Sequence, residues 1–167
     1  MNQFMRHYEE STFIPVVPET LFVYVDDHTK FSSHMSQSSW MMGGGSMQTS
    51  VDGGRGQKVG SHIQLQGKVF GITLFLDEVV TEHVPPHRKV WKTVGTPRLL
   101  IIGYYQMGLD ITPEKEGSKF TVSIDYELPQ STRTRWLAYL FSGVYAKWCV
   151  RQMLTGAREY FTKDSSG

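Results

Sequence analysis

Two stretches decide the fold: GKVFGITLFLDEVVTEHVPPHRKVW at residues 67–91 and GYYQMGLDITPEKEGSKFTVSIDYELP at residues 103–129. Both read as consecutive antiparallel strands joined by turns that carry Pro or Gly. In the second, Phe120, Val122, Ile124, Tyr126 and Leu128 alternate with Thr121, Ser123, Asp125 and Glu127, the pattern of a strand with one face on a core and one in water. The turns fall at Pro85-Pro86 and at Glu116-Gly117, and strands are expected over 59–66, 68–82, 88–95, 99–112 and 118–128.

Outward from this block, residues 4–14 predict a first strand ended by Pro15. Pro18 then suits the first turn of a helix, with Glu19 favourable near its N-terminus and Leu21, Phe22 and Val25 as the buried face. A second short helix is expected through Phe31 and Met35. Residues 36–60 turn to Ser, Gly and Met and read as loops or short hairpins. The last segment, 131–162, is helical, with Leu137, Phe141, Val144 and Trp148 in one stripe and Val150, Met153, Leu154, Ala157 and Phe161 in another. At about 100° per residue the stripes point to nearly opposite sides. The helix then kinks near Gly143, or its first half is covered on two sides by a loop, a partner subunit, a membrane surface or a ligand.

With 167 residues the chain suits one domain spanning 1–167. Its 17 basic against 16 acidic residues leave no field to recruit nucleic acid. Cys149 is the one cysteine, which excludes an internal disulfide or a multi-cysteine zinc site and fits a reducing compartment. It reads as a packed thiol. No segment approaches the roughly 20 apolar residues of a membrane span, and the opening MNQFMRHYEES has no signal-peptide run, so a cytoplasmic location is expected.

Strand parity supplies a candidate cavity wall. Phe70, Ile72, Leu74, Leu76 and Val80 share one face of their strand, as do Met107, Leu109 and Ile111 of theirs, and Phe120, Val122 and Ile124 of the last. Glu78 falls on the inward face between Leu76 and Val80, where a carboxylate would tend to take up a proton. It is the candidate polar anchor or general acid-base, with Tyr126 as its companion, although a bulge would turn Glu78 to solvent. Trp91 and Tyr104 or Tyr105 suit either a ligand grip or a plain core, and Phe141, Val144 and Trp148 join them from the helix.

Other chemistries find little support. His83 and His87 flank two prolines that forbid the helix a zinc pair would need, so no metal and no cofactor are expected. GGRGQKVG at 53–60 fails both phosphate-loop spacings. Lys147, Arg151 and Arg158 read as a solvated helix flank. There is no GxSxG motif, and nothing supplies Cys149 with a base.

The order of elements resembles the helix-grip fold of the START-like superfamily, also called SRPBCC. The resemblance rests on IPVVPETLFVYVDD (14–27), KVGSHIQLQ (58–66), VVTEHVPPHRKVW (79–91) and LDITPEKEGSKFTVSIDYELP (109–129), and covers nearly the whole chain. It implies an α+β fold: a curved antiparallel sheet of six or seven strands wrapped around a long C-terminal helix, with two short helices after the first strand. It also implies a cavity between sheet and helix. WMMGGGSMQTSVDGGRG (40–56) and TRWLAYLFSGVYAKW (134–148) exceed what a minimal member needs and would lie near the cavity mouth.

Three functions follow as expectations. The first is binding of a small hydrophobic ligand such as a lipid, isoprenoid or polyaromatic compound. The second is a polyketide cyclase- or dehydratase-like activity using Glu78 and Tyr126. The third is an interaction module whose aromatic helix docks as a homodimer contact or on a membrane surface.

Overall fold

The structure is a computed structural model, and it describes residues 6–31, 47–69, 71–99, 101–130 and 135–163. Seven antiparallel strands form one sheet in the order β1-β7-β6-β5-β4-β3-β2: β1 Arg6–Ile14, β2 Met47–Val51, β3 His62–Val69, β4 Ile72–Val84, β5 Arg88–Arg98, β6 Tyr105–Glu114 and β7 Gly117–Tyr126. Helices α1 (Pro18–Asp26) and α2 (His28–Phe31) follow β1, and α3 (Arg135–Lys163) closes the chain. This is the expected α+β helix-grip architecture. The strand β2 is an addition to the elements read from sequence, and Met35 lies outside the described residues.

Local chemistry sets the element ends. Pro18 occupies the first turn of α1, where a missing N–H costs nothing, and Leu21, Phe22 and Val25 are buried. Asp27 ends α1 and starts α2, its carboxylate accepting from the Thr29 amide at 3.0 Å. At the β6–β7 turn, a Cβ on Gly117 would collide with the Ile14 carbonyl oxygen, while Ser118 Oγ donates to Val16 O at 2.7 Å. The Gly-polar pair therefore lets β7 pass close under the end of β1.

The helix α3 corrects the two-stripe reading. It runs unbroken for 29 residues, and its buried face is one line through Ala138, Ser142, Ala146, Cys149, Val150, Met153, Leu154, Ala157 and Phe161. Small side chains at 138, 142 and 146 allow its first half to lie close on β1 and β7. The large ones point out instead: Trp136, Tyr139, Leu140, Phe141 and Val144 are all exposed. Of the cationic flank, Lys147 and Arg158 are exposed and Arg151 donates to Glu10 at 2.9 Å. Among the described residues no helix is long and apolar enough to cross a membrane.

Candidate functional site

Between the concave face of the sheet, α2 and the middle of α3 lies a cavity of about 320 Å³. β4 supplies Leu74, Leu76 and Glu78 to its wall, β5 Trp91, β6 Tyr105 and Met107, and β7 Ile124. Helix α3 closes it with Tyr145, Trp148, Cys149 and Met153. Further lining comes from Ile63 and Leu65 of β3, Thr49 of β2, His28, Thr29 and Phe31 of α2, and Leu99 and Ile102 after β5.

Glu78 is the carboxyl of this wall. The register explains its place: it lies opposite Ile63 on β3 and Thr93 on β5; of the two irregularities between β4 and β5, the one between Phe75 and Asp77 puts its extra residues on β5 and leaves β4 in step with β3, and the one between Val80 and Glu82 comes after Glu78. Glu78 therefore stays inward with Leu76 and Val80, and only 4% of it is exposed. Because Thr93 is small, Tyr105 reaches across β5 and donates its hydroxyl to Glu78 Oε1. Burial pushes the Glu78 carboxyl up from its ordinary 4.5 to about 7. Hydrogen bonds from Tyr105 and the Trp91 side chain and the charge of Lys89 oppose that shift, while Asp77 adds to it. Burial and the neighbouring Glu78 raise Tyr105 well above its ordinary range, which keeps it a donor.

A second buried polar group backs the cavity at α2. Lys89, fully buried, donates through Nζ to Asp26 Oδ1 at 2.7 Å, Asp26 O at 3.0 Å and His28 Nδ1 at 3.1 Å. His83 Nε2 lies 3.0 Å from both Asp26 carboxylate oxygens. Burial, with Lys89 adding to it, drives His28 down to about 3, so the imidazole is neutral and, accepting at Nδ1, carries its proton on Nε2. The His28 ring stands edge-on to Trp91 at 5.0 Å. Cys149 is buried, and burial pushes its thiol up to about 12, which removes it as a nucleophile near neutral pH.

Of the residues singled out from sequence, Glu78, Leu74, Leu76, Trp91, Tyr105, Met107, Ile124 and Trp148 converge on the cavity. Others do not. Leu109, Phe120 and Val122 are buried in the core but do not line the cavity, and Phe31 packs on Phe120 with ring centroids 6.4 Å apart. Tyr126 is buried in the core near Gly143 of α3 and lies outside the lining. Ile72, at the start of β4, is 48% exposed, and Phe141 and Val144 are 49% and 59% exposed on the outer face of α3. Phe70 lies outside the described residues.

Residues at the cavity or backing it that sequence reasoning did not name as site residues are Lys89, His28, Asp26, Tyr145 and Met153. The parity that turns Trp91 inward also turns Lys89 inward two residues earlier. That signal was readable, but a lysine is normally taken for surface.

Across residues 5–159 the chain matches the family described as polyketide cyclase / dehydrase and lipid transport. No curated protein matches its sequence. Among solved structures it is similar to a point mutant of norcoclaurine synthase from Thalictrum flavum in complex with a transition-state analogue, at 11% identity and a TM-score of 0.69, covering 99% of each chain. It is likewise similar to the di-domain ARO/CYC BexL of the BE-7585A biosynthetic pathway, at 13% identity and a TM-score of 0.69 over 95% of this chain and 50% of that one. Ara h 8.0201 shares 14% identity at a TM-score of 0.62, with 95% and 99% covered. At these identities the likenesses show the fold alone. The match over residues 5–159 shows more: the chain belongs to the polyketide cyclase/dehydrase and lipid-transport family, built on the START-like helix-grip fold.

Proposed function

We propose that this protein binds a small hydrophobic molecule in the cavity between its sheet and α3. The observation that carries this reading is the lining itself, mostly aliphatic and aromatic, with Glu78 as its carboxyl. Burying ligand apolar surface there contributes roughly 25 cal/mol per Å², less the cost of ordering the ligand. The family supports the same reading, since its description joins lipid transport to polyketide cyclisation. Titration with the neutral fluorophore N-phenyl-1-naphthylamine tests it: saturable binding is expected in the wild type and is lost in Leu76→Trp, which fills the cavity. Val144→Trp, on the outer face of α3, serves as the control and keeps binding. Binding that survives Leu76→Trp in a folded protein contradicts the proposal.

One observation favours a second reading, a cyclase- or dehydratase-like catalyst. The Glu78 carboxyl faces the cavity with a pKa of about 7 and Tyr105 beside it. A group balanced near neutrality can take a proton from a carbon next to a carbonyl and return it to a departing oxygen, provided the cavity holds the chain folded. Tyr105 takes the companion role expected of Tyr126, because Tyr126 does not reach the cavity. Under this reading Glu78→Gln abolishes turnover of a polyketone substrate that Glu78→Gln still binds. Unchanged turnover removes Glu78 from catalysis.

A further inference from the structure

The polar groups around Glu78 specify which kind of hydrophobic molecule suits the cavity, given the binding role proposed above. The Tyr105 hydroxyl donates to the Glu78 carboxylate, and the Trp91 side chain lines the cavity beside it. That donor stabilises the charged, acceptor form, and is thereby engaged and not offered to an acceptor on the ligand. A ligand group facing Glu78 therefore meets an acceptor and is best matched by a donor.

The charge of that donor follows from what surrounds the carboxylate. Among the described residues no Lys, Arg or His lies within ion-pairing distance of Glu78. The nearby cation, Lys89, has its Nζ bound to Asp26 and His28. An ionised Glu78 is thus a buried charge without its own counter-ion, which is costly unless a partner completes the pair. The walls beside it are aromatic, with Trp91, Tyr105, Tyr145 and Trp148 lining the same space. Such faces attract a cation and repel an anion.

We propose that the cavity selects amphiphilic amines, in which a protonated nitrogen pairs with the Glu78 carboxylate between aromatic rings and an apolar body fills the space toward Leu74, Leu76 and Ile124. The titratable groups that share the cavity with Glu78 are Tyr105 from β6, Tyr145 and Cys149 from α3 and His28 from α2, while Lys89 and Asp77 act on it through their charge, Lys89 from its pair with Asp26 and Asp77 from the opposite face of β4 beside His62. Tyr105, Tyr145 and Cys149 are raised away from neutrality and hold their protons there.

The test compares 1-naphthylmethylamine with its neutral isostere 1-naphthalenemethanol on the full chain by calorimetry. At pH 8, where Glu78 is ionised, the amine is expected to bind at least tenfold tighter. At pH 5 the preference falls to within twofold, and in Glu78→Gln it is absent at both pH values. Val144→Ser, outside the cavity, keeps the wild-type ratio. Equal binding of the two probes at pH 8, tighter binding of the alcohol, or an amine preference that survives in Glu78→Gln overturns the proposal while leaving a hydrophobic-ligand cavity in place. If Glu78→Gln does not fold, the wild-type ratio at the two pH values decides alone. Binding of neither probe overturns the cavity reading itself, and this proposal with it.

Discussion

Tyr105 on β6 donates its hydroxyl to Glu78 on β4 across the intervening strand β5, over the small side chain of Thr93. This contact lowers the pKa that burial raises. Tyr105→Phe is therefore expected to raise the Glu78 pKa further above 7, since the charged form loses a donor. A carboxyl ¹³C titration of Glu78 in both proteins reads the change. An unchanged or lower value in Tyr105→Phe means the bond does not stabilise the carboxylate.

Glu78 and His28 give opposite pH signatures to stability. Glu78 is raised from 4.5 to about 7, so its contribution is full below 4.5 and is lost as pH rises to about 7. His28 is lowered from 6.5 to about 3, so its contribution is full above 6.5 and is lost as pH falls toward 3. Between 4.5 and 6.5 the two slopes oppose each other. Glu78→Gln is expected to make stability climb with pH across that window relative to wild type, and His28→Phe to make it fall. Each effect amounts to about 3–5 kcal/mol over its full range, since every tenfold change in proton affinity is worth about 1.4 kcal/mol. Urea denaturation at half-unit pH steps measures both, and parallel curves for wild type and Glu78→Gln contradict the assignment.

Lys89 is fully buried against Asp26. Lys89→Met leaves the Asp26 carboxylate with His83 but without its ammonium partner, and is expected to cost about 3–5 kcal/mol. Adding Asp26→Asn should recover part of that loss, as a coupled pair requires. Strict additivity in the double-mutant cycle would show that the two residues do not act as a pair.

Gly117→Ala places a methyl group against the Ile14 carbonyl oxygen. The backbone must shift to admit it, and a loss of roughly 1–3 kcal/mol is expected. In contrast, Phe141→Ser on the outer face of α3 should change stability by no more than about 0.5 kcal/mol. Thermal melts of the two variants rank them, and the reverse order would place Phe141 in the core.

The sheet was legible because alternation is a local signal. Phe120 to Tyr126 and Leu74 to Val80 each carry their inward face in the residues themselves, and Glu78 could be placed by counting from Leu76. Whether an inward residue meets a cavity or packed neighbours was not legible: Ile124 and Phe120 share a face of β7, yet Ile124 lines the cavity while Phe31 packs on Phe120. The helix misled for a related reason. Hydrophobicity favoured Phe141 and Val144 as the buried stripe, but the close approach of α3 to β1 and β7 admits only Ala138, Ser142 and Ala146. β2 falls in the stretch read as loops or short hairpins, and its bounds were not legible because MQTSV is short and sits among Ser and Gly. Asp26, His28 and Lys89 escaped because the buried Lys89 ammonium is tolerable only beside the Asp26 carboxylate and the neutral His28 ring, a condition met by residues as far as 63 positions apart in the chain.

The most direct test of the central claim is to locate bound N-phenyl-1-naphthylamine by intermolecular NOEs to methyl groups. The account predicts contacts to Leu74, Leu76, Ile124 and Met153, which line the cavity, and none to Ile72 or Val144, which lie outside it. NOEs confined to Val144 and its neighbours on the outer face of α3 would contradict it, and would make the helix surface the binding site.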